Sequence, residues 1–328
     1  MTRFLLLTEE HVRSVLPMAD LVECMESAVA RFSAGDVLQP LRTAILVGPQ
    51  PNWFGVMPAC IKQPLAIGAK LVTVFNSNTA RGLDSHQAIV VLLDPDTGTL
   101  QALMDGRYIT EARTGAVSAV SVRYLARAEA STLAIIGTGV QARSHLEAYR
   151  EVRALHDVRV WSPKAASRER FVTEMQPRAG IPLRATRTAE DAVRGADLVV
   201  LATSSHTPVV EMSWISPGSH IVSVGAPRPD HREMDPALVA GARLFVDSRT
   251  AALAESGDVV LGMSEQRFDA NHIAGELGEL VLGRVEGRRS TDEITIFKSL
   301  GMAVEDVATA DLVYRRALEN GVGSQQSL

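Results

Sequence analysis

The sequence predicts an α/β chain in which residues 114–300 form a doubly wound parallel sheet, and residues 1–113 with 301–328 form a mixed α+β domain. Three observations carry that expectation. The apolar run from Leu133 breaks at Gly137-Thr-Gly139-Val-Gln141-Ala142, a glycine-spaced turn between a strand and a helix. Further β-rich runs follow at 158–161, 197–202, 220–224 and 244–246, alternating with helical stretches, which is the rhythm of a parallel sheet with helices on its faces. Upstream of residue 114 the pattern differs, with one long helical segment followed by runs joined through turn residues.

In chain order, residues 18–34 read as a helix stopped by Gly35, a residue suited to the left-handed C-terminal cap. Runs at 43–47, 69–75 and 88–93 read as strands, and Asp94-Pro-Asp-Thr-Gly98 is a turn that returns the chain antiparallel from Thr99. After the strand at 133–136, Gly137 permits the tight turn and Gly139 admits a pyrophosphate close to the backbone. Small Ala142 lets the following helix lie near the sheet with its N-terminus toward the anion. This is a Rossmann-type dinucleotide unit. Thr188-Ala-Glu-Asp191 offers a helix-capping pattern with Gly195 as a stop. Residues 301–320 have helical spacing closed by Gly321, so a last helix either returns to the first domain or completes the nucleotide sheet.

Composition narrows the partners. With 46% hydrophobic and 22% charged residues and a net charge of -5, the chain has the make-up of an ordinary globular protein with no field favouring nucleic acid. The basic cluster of Arg284, Arg288 and Arg289 is interleaved with glutamates and followed by Asp292 and Glu293, which reads as a solvated loop. Cys24 and Cys60 make neither a disulfide framework nor a zinc spacing, and point to a reducing, cytoplasmic setting. The apolar run at 4–7 is cut off by Glu9 and Glu10 and is too short for a secretory core, and Pro49 and Pro58 break the charge-free stretch 43–61. No membrane span is expected. The histidines form no His-x-His or His-Glu-x-x-His pair, so no metal is expected either.

The chain resembles the ornithine cyclodeaminase/mu-crystallin family over nearly its whole length. The stretches that carry the resemblance are Gly68-Ala-Lys70-Leu-Val-Thr, Ser85-His-Gln-Ala, Met104-Asp-Gly, Thr110-Glu-Ala-Arg113-Thr-Gly-Ala, Gly137-Thr-Gly-Val-Gln-Ala, Val224-Gly-Ala, Arg232-Glu-Met-Asp, Glu255-Ser-Gly-Asp258 and Phe297-Lys-Ser-Leu-Gly-Met-Ala-Val-Glu-Asp306. The resemblance implies a homodimer, a first domain that binds substrate and dimerises, and an inserted Rossmann domain. It also implies nicotinamide chemistry on an imine beside a carboxylate. Reactions within the family include cyclodeamination, amino-acid dehydrogenation and ketimine reduction.

The same resemblance implies the site. Arg42, Lys70 and Arg113 fall where a carboxylate clamp is expected, and a guanidinium fork suits that task. Lys70, beside fixed cations, is suited to exchanging a proton at the imine nitrogen. Ser85 falls where the family places a hydroxyl near substrate or nicotinamide and joins Lys70 in the expected catalytic set, whereas His86 reads as a structural hydrogen-bonder. Cofactor contacts are implied for Arg113, Thr114, Gly137, Gly139, Val140, Gln141, Thr203, Val224, Ser299 and Gly301. No acid ends the second strand; Ser162 and Lys164, with Arg168 nearby, can receive a 2'-phosphate, so NADP is expected, with NAD left open. The main departure is Pro227, where cyclodeaminases carry an acid; proline can accept no proton. Arg228 then suits a further contact to the substrate carboxylate, and Asp230 is close enough in sequence to substitute for the missing acid, although its place after Pro229 suits a turn better. The expected activity is NAD(P)H-dependent reduction of a cyclic ketimine such as pyrroline-2-carboxylate or piperideine-2-carboxylate, or of an acyclic 2-imino acid. Alternatives are a cyclodeaminase, an amino-acid dehydrogenase, and a nicotinamide-bound binding protein without turnover.

Overall fold

Leu21, Val22, Met25, Ala28 and Val29 give the segment from Met18 a single apolar stripe, and Gly35 ends it in the left-handed region at φ 84°. The result is a 17-residue helix, formed because that stripe has the carboxy-terminal helix at 303–320 to pack against. The computed structural model describes residues 3–49 and 52–328, and the chain divides into two units, Met1–Arg113 with Met302–Leu328, and Thr114–Gly301.

The first unit begins with β1 (Arg3–Leu7), α1 (Glu9–Val15) and α2 (Met18–Ala34), then β2 (Val37–Leu38), β3 (Thr43–Val47), β4 (Asn52–Lys62), β5 (Leu65–Val74), β6 (His86–Leu93) and β7 (Leu100–Asp105). Helix α3 (Gly106–Leu125) starts in this unit and ends in the second. Strands β4 to β7 form an antiparallel meander, and β1 adds parallel to β7. Side chains alternate along it. Met57, Ala59, Lys70, Val72, Val90, Leu92, Ala102 and Met104 lie on the buried face, while the row Val56–Leu71–Ile89, set by the register, lies on the other face, where Ile89 is 41% exposed.

The second unit contains β8 (Thr132–Ile136), α4 (Val140–Val152), β9 (Asp157–Trp161), α5 (Ala165–Ala179), β10 (Leu183–Ala185), α6 (Ala189–Val193), β11 (Leu198–Leu201) and β12 (His220–Ser223). It continues with α7 (Pro236–Gly241), β13 (Arg243–Val246), α8 (Arg249–Glu255), α9 (Gly257–Ser264), β14 (Ile273–Glu276), α10 (Leu277–Val281) and β15 (Thr295–Lys298). All pairings are parallel, in the order β10-β9-β8-β11-β12-β15-β13-β14. The chain steps from β8 to β9 on one side and later fills β11 on the other. Ligands of such sheets bind outside the carboxyl ends of the strands at that reversal.

After β15 the chain returns to the first unit as α11 (Ala303–Asn320) and β16 (Ser324–Ser327), which pairs with β1. Gly321, at φ 64°, closes α11. Its stripe Val304, Val307, Ala310, Val313 and Ala317 is buried, and Val307 lies over Gly68. A Cβ on Gly68 would stand 2.5 Å from the Val91 carbonyl.

Candidate active site

Lys70 points from the middle of β5 to the face that α11 covers, where its ammonium would be stranded without a counterion. The first turn of α11 supplies one. Lys70 Nζ lies 2.7 Å from Asp306 Oδ2, and the other carboxylate oxygen accepts from Arg113 Nε at 3.0 Å. Arg113 Nη1 also donates to Glu305 Oε2 at 2.6 Å. All four groups are buried. The acids sit at the N-terminal end of a helix, where the backbone dipole favours negative charge.

Burial pulls Lys70 down to about 8; Arg113 and Arg42 add to the fall, and Asp306 works against it. Asp306 stays below the usual carboxylate range despite burial, because Arg113 and Lys70 flank it. His86, on the same sheet face, is pushed down to about 4 by burial and then by the Lys70 and Arg113 charges, so its ring is neutral near pH 7. Arg42 is half-buried in the loop before β3, and half-buried Ser85 directly precedes β6. Thus Lys70 and Arg113 come together in one buried cluster, with two Arg113 donors held by Glu305 and Asp306.

The second unit provides a different cradle. Gly137 has φ 122°, and a Cβ there would stand 2.2 Å from the Ala202 carbonyl, so no other residue fits this close approach. Gly139 caps α4 with no side-chain hydrogen bond, nothing stands within 4 Å of its would-be Cβ, and Val140 beside it is 50% exposed. Gln141 Oε1 is buried with no hydrogen-bond partner. Free helix amides next to open space fit the pyrophosphate of a nicotinamide dinucleotide. At the end of β9, Ser162 is buried, its carbonyl accepts from Arg168 Nη1 at 2.6 Å, and exposed Lys164 is the N-cap of α5.

Beyond β11, β12 and β15, the other expected contacts are backbone-held. Thr203 gives both its amide and its hydroxyl to Glu233, half-buried Val224 donates to the Leu201 carbonyl at 3.0 Å, and Ser299 donates to the Ser223 carbonyl at 3.0 Å. Asp247 receives the amides of Leu300 and Gly301 at 2.5 and 2.7 Å. Buried Thr114 accepts at its carbonyl from Ser118 Oγ. Pro227, Arg228 and Asp230 lie exposed on the loop after β12, with Arg228 Nε 3.3 Å from Asp230, whose carboxylate also faces His231.

In the sequence nothing marks Glu305, Asp306, Glu233, Asp247, Asp258 or Lys298 by itself as a site residue. The available signal was a charge inside an apolar run: Asp247 directly follows Leu-Phe-Val, and Lys298 ends Thr-Ile-Phe. Glu305 and Asp306 pass as ordinary first-turn acids of a helix. Among the described residues, no group of His, Cys, Asp and Glu is placed to hold a metal ion.

The sequence model of the ornithine cyclodeaminase/mu-crystallin family matches residues 3–321. The chain is 41% identical over 309 residues to the rat (Rattus norvegicus) ketimine reductase mu-crystallin, covering 93% of this chain and 94% of that one. Its fold superposes with a TM-score of 0.96 on Thermococcus litoralis Delta(1)-pyrroline-2-carboxylate reductase in complex with NADH and L-proline, at 40% identity and over 98% of this chain and 99% of that one. It superposes with a TM-score of 0.94 on an archaeal alanine dehydrogenase dimer with bound NAD, at 32% identity and over the full length of both.

Proposed function

Because the chain belongs to the ornithine cyclodeaminase/mu-crystallin family, we propose that it is an NAD(P)-dependent oxidoreductase that reduces an imine adjacent to a carboxylate to the amino acid. The carrying observation is the buried Lys70–Asp306–Arg113 cluster, where burial pulls the Lys70 ammonium down to about 8. When bound, the nicotinamide supplies the hydride. Lys70 gives a proton to the imine nitrogen: its N–H bond breaks as the new N–H bond forms, and a general acid works best with a pKa near the working pH. Asp306 holds that ammonium in place, Arg113 is fixed by Glu305 and Asp306, and Arg42 grips the substrate carboxylate. Ser85 and Arg228 take further substrate contacts.

In the second unit, Gly137, Gly139, Val140 and Gln141 hold the pyrophosphate, and Ser162, Lys164 and Arg168 receive a 2'-phosphate, so the coenzyme is NADP in preference to NAD. Thr114, Thr203, Val224, Ser299 and Gly301 seat the remainder of the coenzyme. The half-exposed face carrying Val56, Leu71 and Ile89, with Ile45 of β3 beside it at 53% exposure, forms a homodimer. The dimeric alanine dehydrogenase supports this, and sedimentation showing a monomer at micromolar concentration would overturn it. With Cys24 and Cys60 free and no described helix long and apolar enough to cross a membrane, the protein resides in the cytoplasm, which cell fractionation tests.

Pro227 follows Ala226, which is held at φ 50°, and no buried acid occupies that loop position. On this reading position 227 lacks the base that cyclisation of ornithine needs, and Asp230 is the group that would have to replace it. The deciding experiment offers pyrroline-2-carboxylate and piperideine-2-carboxylate with NADPH or NADH, and separately ornithine with the oxidised coenzymes. Imine reduction without proline formation from ornithine is expected. Proline and ammonia from ornithine, with every imine left untouched, would overturn the reading.

A further inference from the structure

Three buried charges that the proposed reaction does not use, Glu233, Lys298 and Asp258, lie together in the second unit, each at most 2% exposed. Strands β11 and β12 pair as far as Leu201 and Ser223. Beyond that point the ladder ends, and the Thr203 and Gly225 amides both turn to the Glu233 carboxylate, each at 2.8 Å. Thr203 Oγ1 donates to the same Oε1 at 2.6 Å, and Ser223 Oγ donates to Oε2 at 3.0 Å. The carboxylate replaces the missing rungs.

The donors are ordered in one direction. Ser205 N donates to Thr203 Oγ1, and Lys298 Nζ donates to Ser223 Oγ, so each hydroxyl spends its own proton on Glu233. Lys298 also donates to the Gly225 carbonyl and pairs with Asp258 Oδ2 at 3.1 Å; Asp258 Oδ1 accepts the Glu233 and Met234 amides at 3.0 Å. Only a group that accepts on both sides satisfies this arrangement. The fit is close as well: a Cβ on Gly225 would stand 2.4 Å from the Glu233 carboxyl and from the Thr203 carbonyl.

We propose that Glu233 is a positioning residue whose carboxylate sets the gap between the ends of β11 and β12, and with it the seat of the nicotinamide ring. This rests on the reading of the unit as a nicotinamide dinucleotide cradle. The pyrophosphate and adenosine contacts sit at the ends of β8 and β9, while β11, β12 and β15 lie on the other side of the reversal, where the second mononucleotide half belongs. Ala226, the next residue, holds a left-handed φ of 50°, so the loop is fixed in a conformation an L-residue does not choose unaided.

Glu233→Gln keeps the shape but sets an amide NH2 against an N–H donor on whichever side it faces. Calorimetry compares the coenzyme that the wild-type protein binds with its analogue lacking the ring, ADP-ribose for NADH or 2'-phospho-ADP-ribose for NADPH. The whole coenzyme should bind about tenfold or more weakly and kcat should fall with it, while the ring-less analogue stays within about twofold. Should that variant fail to fold, Ser223→Ala removes one donor and should show the same split at roughly threefold. Unchanged coenzyme affinity, or an equal loss for coenzyme and analogue, overturns the positioning role. A wild-type protein that binds neither coenzyme overturns the cradle reading itself, before Glu233 is in question.

Discussion

Replacing Asp306 with Asn tests the proton-donor assignment most directly. In the native protein Asp306 raises the Lys70 pKa, against burial and the Arg113 and Arg42 charges. Without it Lys70 falls further below about 8, so less of it carries a proton at neutral pH. The specificity constant for imine reduction reports the free enzyme's titrations, so its alkaline limb should lie near pH 8 in the wild-type protein. In Asp306→Asn that limb should move down by about one unit or more, costing about tenfold above it and little well below it. The rate of coenzyme oxidation, measured from roughly pH 6 to 9 at saturating coenzyme, reads both limbs.

Stability follows with a definite sign. The folded pKa of Lys70 lies below its unfolded value of 10.5, so the penalty is fully present below the folded pKa and is relieved as pH rises from there toward 10.5. At about pH 7.5 the native protein already carries about 3 kcal/mol of it, and complete neutralisation of Lys70 caps the penalty at about 4 kcal/mol. The variant therefore loses only about 1 kcal/mol through Lys70 at pH 7.5, but up to about 3 kcal/mol at pH 6. Arg113 keeps its Glu305 contact throughout. Urea unfolding at the two pH values measures the difference. An alkaline limb left near pH 8, with activity lowered by one factor at every pH, would refute the assignment of Lys70 as the proton donor.

Two further outcomes follow from the cation positions. Arg42→Ala should lower the specificity constant for the imine roughly 10- to 150-fold, the worth of one charge-assisted bidentate contact, with coenzyme affinity unchanged; a loss within about twofold places the carboxylate elsewhere. Lys164→Ala should weaken NADPH while leaving NADH as it was, measured by calorimetric titration; a native protein that prefers NADH, with that preference untouched by the substitution, removes Lys164 from the coenzyme site.

Elements with one dominant local signal were legible in the sequence. The helix from Met18 ends at Ala34 because its stripe and Gly35 agree, and Gly98, at φ 72°, turns the chain antiparallel into β7 as its residues dictate. The long strand β4 was not legible. Pro58 argues against a paired strand, but β3 pairs only up to Val56 and β2 only from Cys60, so that edge is open at Pro58 and the missing N–H costs nothing. For the site, the cations were legible through their motifs. Their partners were not, because Lys70 and Asp306 are 236 positions apart and only the folded first unit brings them together. Glu233 was hidden for a different reason: its role is to close a gap between two strands, and no spacing in the chain encodes that gap.

The return of α11 to the first unit has a consequence for how a nascent chain fares. Lys70 and Arg113 emerge early, yet their counter-charges, Glu305 and Asp306, are translated only after the whole of Thr114–Gly301. At typical elongation rates that interval is roughly ten to forty seconds. Through it the amino-terminal portion holds two cations it cannot bury, beside the part of β4 to β6 that α11 covers in the folded protein, so it stays open on the ribosome. The nucleotide-type unit is contiguous in sequence and suffers no such delay. Order of synthesis thus makes the later-translated unit the first able to close, and the final 27 residues, Met302–Leu328, the step that commits the chain to its native state.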